Sequence, residues 1–275
     1  MPQRVVILGS GSRGNSLLAA ARRTRVLVDM GFSERRITRQ LLAEGVDPDK
    51  LSAVLVTHTH GDHVGASALR FCFRHRVPLV APRENLAVLR RKFGPTFERL
   101  DRGDLLRPLP PRGLEIDGLA VRPFEVPHDA DGLNLGYHLT LADGRSAAPL
   151  RVVVATDLGH VPPEVLAVLA DAEILVLEAN HDPRLLADSG RPPDLIERIR
   201  GPHGHLANDQ AALVLQLILS LRDPGALRRV VLAHLSQECN TPRLALAAAR
   251  RVLRAVDGPA PPLSAATQDE SLKVH

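Results

Sequence analysis

The sequence predicts an α/β protein whose helices pack outside two β-sheets, and three observations predict it. Short apolar runs rich in Val, Leu and Ile recur along the 275 residues, each bounded by turn residues. Helical patterns lie between most of these runs, the alternation of an α/β chain. The middle, roughly 114–155, departs from it: strand follows strand, with Asp117-Gly118 and Asp143-Gly144 as turn signals. An antiparallel-rich centre fits two sheets better than one doubly wound parallel sheet.

In chain order the candidate strands are 5–8, 25–28, 53–56, 77–81, 119–126, 135–141, 151–155, 173–177 and 229–233. Each is a run of four to eight mostly apolar residues, too short for a helix and rich in β-branched side chains. Helical patterns cover 34–44, 64–74, 83–92, 163–170, 194–199, 208–221 and 242–256. Ser33 offers an N-cap to the first of these, Ala207 or Asn208 precedes "DQAALVLQLILSL", and Pro242 after Thr241 reads as a first-turn proline. The proline-rich stretches "RPLPPRG" and "DGPAPPL" are short and flanked by patterned segments, which makes them loops. The expectation is one domain, 1–275, with no tandem repeat.

Composition bounds the function. An apolar content of 44% allows a large core without staples, and Cys72 and Cys239 form no disulfide framework. The apolar run near the N-terminus is four residues long, too short for a signal peptide or a membrane span. A soluble, cytoplasmic protein is expected. The net charge of +4 favours an anionic partner only weakly, because it is spread over the whole chain. Aromatic residues are 3% of the chain with no Trp, so a nucleic acid would be held by its backbone rather than by stacked bases.

The densest chemistry lies in "VLVTHTHGDHVGA", where His58, His60, Asp62 and His63 follow an apolar run. Residues two apart on an extended backbone share a side, so His58 and His60 can serve one metal while Asp62 and His63, past the Gly61 turn, serve another. Imidazole and carboxylate suit zinc, manganese or iron. The alternative is a polar turn whose histidines cap a helix starting near Val64, which explains one histidine more easily than three.

The motif resembles the THxHxDH signature of the metallo-β-lactamase fold, matched by Thr57, His58, His60, Asp62 and His63. The resemblance implies a four-layer αββα sandwich with further ligands at the ends of later strands. His128 ends "VRPFEVPH", Asp157 ends "RVVVATD" and His234 ends "RRVVLAH". It implies two divalent metals: one held by His58, His60 and His128, one by Asp62, His63 and His234, with Asp157 between them. A metal-bound hydroxide would be the nucleophile, and Asp62 would also orient it.

Within the fold, "GSGSRGNS", "VDMG", "VTHTHGDH", "TDLG", "LEANHD", "GPHGHLANDQAA" and "LAHLSQECN", in that order, resemble the YycJ/WalJ-type group. That group implies a 5′-to-3′ exonuclease acting on double-stranded DNA. His205 matches the histidine that protonates the leaving oxygen in ribonuclease Z-like enzymes; capping the helix from Asn208 is its other reading. His160 and Cys239 depart from the group at positions that bear on substrate contacts and not on the ligands. The alternatives are an RNA or small-molecule phosphodiesterase, a thioester or lactone hydrolase, and last a non-catalytic binding protein.

The loop Gly9–Ser16 can cradle an anion with Ser10, Ser12, Arg13 and Asn15. It is G-x-G-x-x-G by letter, yet Asp29 comes too early for the acidic residue of a dinucleotide site, and a turn between strands is the expected form. No nucleotide cofactor is expected. His181 either faces the cleft or closes a turn with Asn180 and Asp182. Glu178, ending a buried strand, can orient a ligand histidine. Arg184, Arg191, Arg198 and Arg200 make either a rail for DNA or a solvated helix face.

Overall fold

The computed structural model describes residues 3–142, 144, 148–223, 225–254 and 260–275. The first half contains β1 (Arg4–Gly9), β2 (Ser16–Ala21), β3 (Thr24–Val28), α1 (Glu34–Ala43), β4 (Ala53–Leu55), α2 (Ala66–His75), β5 (Leu79–Ala81), α3 (Arg83–Arg102) and β6 (Leu106–Pro108). Then come β7 (Leu114–Ile116), β8 (Leu119–Glu125), β9 (Leu135–Leu141), β10 (Leu150–Ala155), α4 (Pro163–Ala170) and β11 (Ile174–Glu178). The chain continues with α5 (Pro183–Ala187), α6 (Pro193–Arg200), α7 (Asn208–Ser220), β12 (Arg229–Ala233), α8 (Pro242–Leu253), β13 (Leu263–Ala265) and β14 (Leu272–Lys273).

The strands form two seven-stranded sheets, ordered β14-β1-β2-β3-β4-β5-β6 and β13-β12-β11-β10-β9-β8-β7. Alternate side chains explain why the strands read as continuous apolar runs. Val5 and Ile7 join Leu139, Val152 and Val231 in the layer between the sheets, whereas Val6 and Leu8 join Ile37, Leu41 and Leu69 beneath α1 and α2. The second sheet packs outward in the same way, Val153, Leu175 and Leu232 meeting Leu169 of α4, Leu215 of α7 and Ala249 of α8. The result is the expected αββα sandwich, with no helix among the described residues long and apolar enough to cross a membrane.

Local signals account for the helix starts. Ser33 accepts a bond from the Arg36 N–H, Thr241 Oγ1 accepts one from the Leu244 N–H at 3.2 Å, and the Gln210 side chain reaches back to the Ala207 N–H at 2.8 Å. Asp117-Gly118 does turn β7 into β8, both residues having positive φ, while Asp143 of the second turn signal lies outside the described residues. The helix expected at 83–92 runs on to Arg102: Gly94 takes a non-helical conformation before Pro95, so the pair kinks the helix instead of ending it. The helix expected to reach Val256 is described as far as Leu253.

The topology brings several strand ends to one edge. β3 and β4 run parallel, as do β10, β11 and β12, and β8 shares their direction because β9 is antiparallel to both of its neighbours. A crevice outside the carboxyl ends of strands is the usual place for a site in such sheets.

Candidate metal centre

The segments leaving that edge carry the polar residues. Thr57 to His63 follow β4, His128 follows β8, Asp157 follows β10, Glu178 ends β11 and His234 follows β12. Asp157 and His234 hold φ near 61° and 55°, and Asp29, just past β3, holds 60°. A left-handed backbone costs non-glycine residues on the order of 1–2 kcal/mol each. Three such residues at one edge show the chain bending sharply there to aim side chains inward.

Two clusters result. In one, His58 Nε2 lies 3.1 Å from His60 Nδ1, which is 3.3 Å from His128 Nε2. Partners on the opposite ring nitrogens set the tautomers. The His128 Nδ1–H donates to the Gly204 carbonyl at 3.0 Å, and the His58 Nδ1–H to Thr57 Oγ1 at 3.0 Å, whose own proton goes to Asp29. The Nε2 atoms of His58 and His128 therefore both face His60 Nδ1. Burial first, then the neighbouring imidazole charges, lower the pKa of His58 and of His60, so both are neutral.

In the other cluster, Asp62 Oδ2 lies 3.4 Å from His63 Nε2 and 3.3 Å from His234 Nε2, and Asp157 Oδ2 lies 3.1 Å from His63 Nε2. His63 Nδ1–H donates to Asp29 at 2.8 Å and His234 Nδ1–H to Glu178 at 2.9 Å, leaving each Nε2 facing inward. Asp157 is grouped with His58 and His63, one residue from each cluster.

Electrostatics test whether a metal fits. Burial would raise the Asp62 and Asp157 carboxyls, yet the surrounding histidines hold both well below the usual range. Burial would lower His63 and His234, yet Asp157, with Asp62 and other acceptors, raises both, His234 to about 10. Two ionised carboxylates thus demand positive charge in a dry site, and only protonated histidines supply it. Asp157 Oδ2 is buried, with His63 Nε2 at 3.1 Å as its ion-pair partner and no hydrogen bond among the described residues. A divalent cation satisfies both needs, and the donor set of imidazole and carboxylate fits one.

His205 sits beside both clusters. Its ring centroid is 5.0 Å from that of His128 and 5.3 Å from that of His234. Its Nδ1–H donates to Glu178 at 2.9 Å, and Glu178 Oε2 accepts from the Leu158 and Leu206 N–H groups. Glu178 is sealed, whereas the His205 side chain keeps 21% of its surface exposed, so it reaches the cleft. Burial lowers the His205 pKa, but Glu178 outweighs it and the net shift is upward.

The remaining expected residues divide. Ser10 and Asn15 are buried under the Asp62 cluster and hydrogen-bonded there; Ser12 and Arg13 are exposed on the loop. That loop joins antiparallel β1 and β2 rather than opening a helix, so the context of a dinucleotide fingerprint is missing. His181 is 2% exposed and presents almost no surface to a substrate; burial lowers its pKa to about 4, and its carbonyl accepts from the Asn208 N–H. Arg198 pairs with Asp129 and Arg191 with Glu238.

Two residues were not read from the sequence as part of this centre. Asp29 binds Thr57 twice and His63 once, and its signal was available: it ends an apolar run, as His128, Asp157 and His234 do. Lys92 donates to the Thr59 carbonyl at 2.9 Å, between His58 and His60.

Residues 24–235 match the family model of the beta-lactamase superfamily domain. The chain belongs to that family. Its members' metallo-β-lactamase sandwich is also the fold of the protein YhfI from Bacillus subtilis, at 15% identity and a TM-score of 0.67 over 99% of this chain and 100% of that one. In sequence it is 28% identical to the exodeoxyribonuclease WalJ of Streptococcus pneumoniae, covering 87% of this chain and 84% of that one. It is 27% identical to the exodeoxyribonuclease YycJ of Bacillus anthracis, covering 90% and 88%. For this superfamily chain the fold implies divalent metal binding, and the clustered His and Asp side chains could hold the metal.

Proposed function

We propose that this metal-dependent hydrolase is a phosphodiesterase with two divalent metals, acting as a 5′-to-3′ exonuclease on double-stranded DNA. The observation that carries the reading is His205, held by Glu178 between the two ligand clusters with its other nitrogen toward the cleft. The exodeoxyribonuclease relatives support the substrate class.

His58, His60 and His128 would hold one cation, Asp62, His63 and His234 the other, with Asp157 shared. Zinc or manganese suits these donors, iron less specifically. When bound, two such cations lower the pKa of a water and offset the charge that develops on a phosphodiester. Asp62, fixed by its neighbours, orients the attacking water. The Glu178 carboxylate keeps a proton on His205 Nδ1 and raises the affinity of Nε2 for its own proton, which Nε2 delivers to the departing oxygen. A leaving alkoxide of a sugar needs that proton.

Lys92 and Arg198 flank the His58/His60/His128 side, one bonded to Thr59 and the other to Asp129 beside His128. Cations so placed hold the phosphates next to the scissile one.

A time course with 5′-labelled blunt duplex, 3′-labelled duplex, matching RNA and a chromogenic phosphodiester tests the proposal. Early short products from the 5′ label are expected. His205→Ala should keep its metals and lose about 10²–10⁴ in turnover. Intact DNA with the small ester cleaved would move the substrate to a small molecule; metal lost from His205→Ala would make His205 a ligand.

A further inference from the structure

In the loop Gly9–Ser16, Ser12 and Arg13 are exposed, whereas Ser10 and Asn15 turn inward to the metal centre. The Asn15 amide is oriented unambiguously: the Gly11 N–H, which can only donate, lies 3.1 Å from one amide atom, which must be Oδ1. Ser10 Oγ also donates to Oδ1, at 2.8 Å. Nδ2 therefore faces the other way, donating to the Gly11 carbonyl at 3.1 Å and toward Asp62 Oδ2 at 3.4 Å, and it lies 3.1 Å from His63 Nε2. Ser10 Oγ in turn accepts from the His234 N–H at 2.8 Å, and the Asn15 N–H donates to the Asp62 carbonyl at 2.8 Å. One buried relay, His234 to Ser10 to Asn15 to Asp62, thus ties together the outer residues of a single cluster. The approach is close: a Cβ on Gly31 would lie 1.7 Å from the Asp62 carbonyl oxygen, so the packing tolerates only glycine there.

We propose that Asn15 is the positioning residue of the Asp62/His63/His234 metal site, and that its being an amide and not a carboxylate sets the charge of that site. Asp62 and Asp157 already bring two negative charges. A third at position 15 would face Gly11 O and Asp62 Oδ2, where Nδ2 now donates, and would be repelled until a cation arrived. The His58/His60/His128 cluster has no bond to this loop among those described, so the effect is confined to one metal. The proposal rests on reading the clusters as metal sites and is independent of the substrate.

The test is titration of metal-free protein with Zn²⁺ against a competing chelator, and with Co²⁺ followed by visible absorption, for wild type, Asn15→Ala, Asn15→Asp and Ser10→Ala. Wild type should take up two equivalents. Asn15→Ala should weaken one equivalent by about 10–100-fold and leave the other unchanged, with Ser10→Ala following in the same direction by less. Asn15→Asp should lower the melting temperature of the metal-free protein, recover it on loading, and alter the Co²⁺ spectrum of one equivalent only. Equal affinities in wild type and Asn15→Ala, or a parallel loss of both equivalents, would overturn the proposal. Wild-type protein that binds no metal would instead overturn the reading of the clusters.

Discussion

The two halves of the centre meet the same cleft but are built differently. The His58/His60/His128 half is three imidazoles with no carboxylate among them, two of them aimed by a hydroxyl and a backbone carbonyl. The Asp62/His63/His234 half carries carboxylates and is braced by acidic side chains, Asp29 behind His63 and Glu178 behind His234. A carboxylate behind a ligand imidazole raises its basicity more than a carbonyl does. The halves should therefore differ in affinity and in their response to pH, and each can be disturbed separately.

Asp157 is where the distinction should collapse. Asp157→Ala removes the group lying between the clusters, so both metals should be depleted and hydrolysis lost, as measured by elemental analysis after gel filtration. A fully loaded variant would refute the shared role. Glu178→Gln should act on one half: it weakens the proton relay to His205 and the brace on His234, costing about 10–100-fold in the affinity of one metal. The other equivalent, read by the same titration, should not change.

The halves also part in the metal-free state. The His234 pKa is raised from 6.5 to about 10, so its pairing stabilises the fold fully below pH 6.5 and is lost as pH rises through about 10. Asp62 and Asp157, held low, contribute above their ordinary carboxylate pKa and lose that contribution on acidification. Thermal melts of chelator-treated protein should show a plateau between those limits and a decline above pH 6.5 that metal abolishes. His58→Ala should leave that alkaline decline intact, since its imidazole is already neutral. The smallest effect expected is at the rim: Lys92→Gln should reduce the slope of log affinity for duplex DNA against log salt by about 1, leaving cleavage of a small phosphodiester unchanged.

How much of this was legible follows from what a one-dimensional pattern carries. Strands buried on both faces announce themselves as apolar runs, and the residues just past them, His128, Asp157 and His234, mark the functional edge. β2 was missed because "SLLAAA" is alanine-rich and weakly β-forming; its partners β1 and β3, not its own residues, make it a strand. The three-residue β6 and β13 and the two-residue β14 hold too few side chains to show a period. The helix expected at 83–92 runs past Gly94-Pro95 because Phe97 and Leu100, buried against the same core, draw it onward. Ser10 and Asn15 were visible as polar loop residues; that they turn inward depends on Gly31 and Asp62, distant in sequence.

The turn 201–205 shows a last economy of construction. The Gly204 carbonyl receives His128, and the very next side chain, His205, is bound to Glu178, which also holds His234. One peptide unit is thus geared to a residue of each half at once. A displacement of His128 would be transmitted through one covalent link to His205 and on to the Glu178 carboxylate that braces His234.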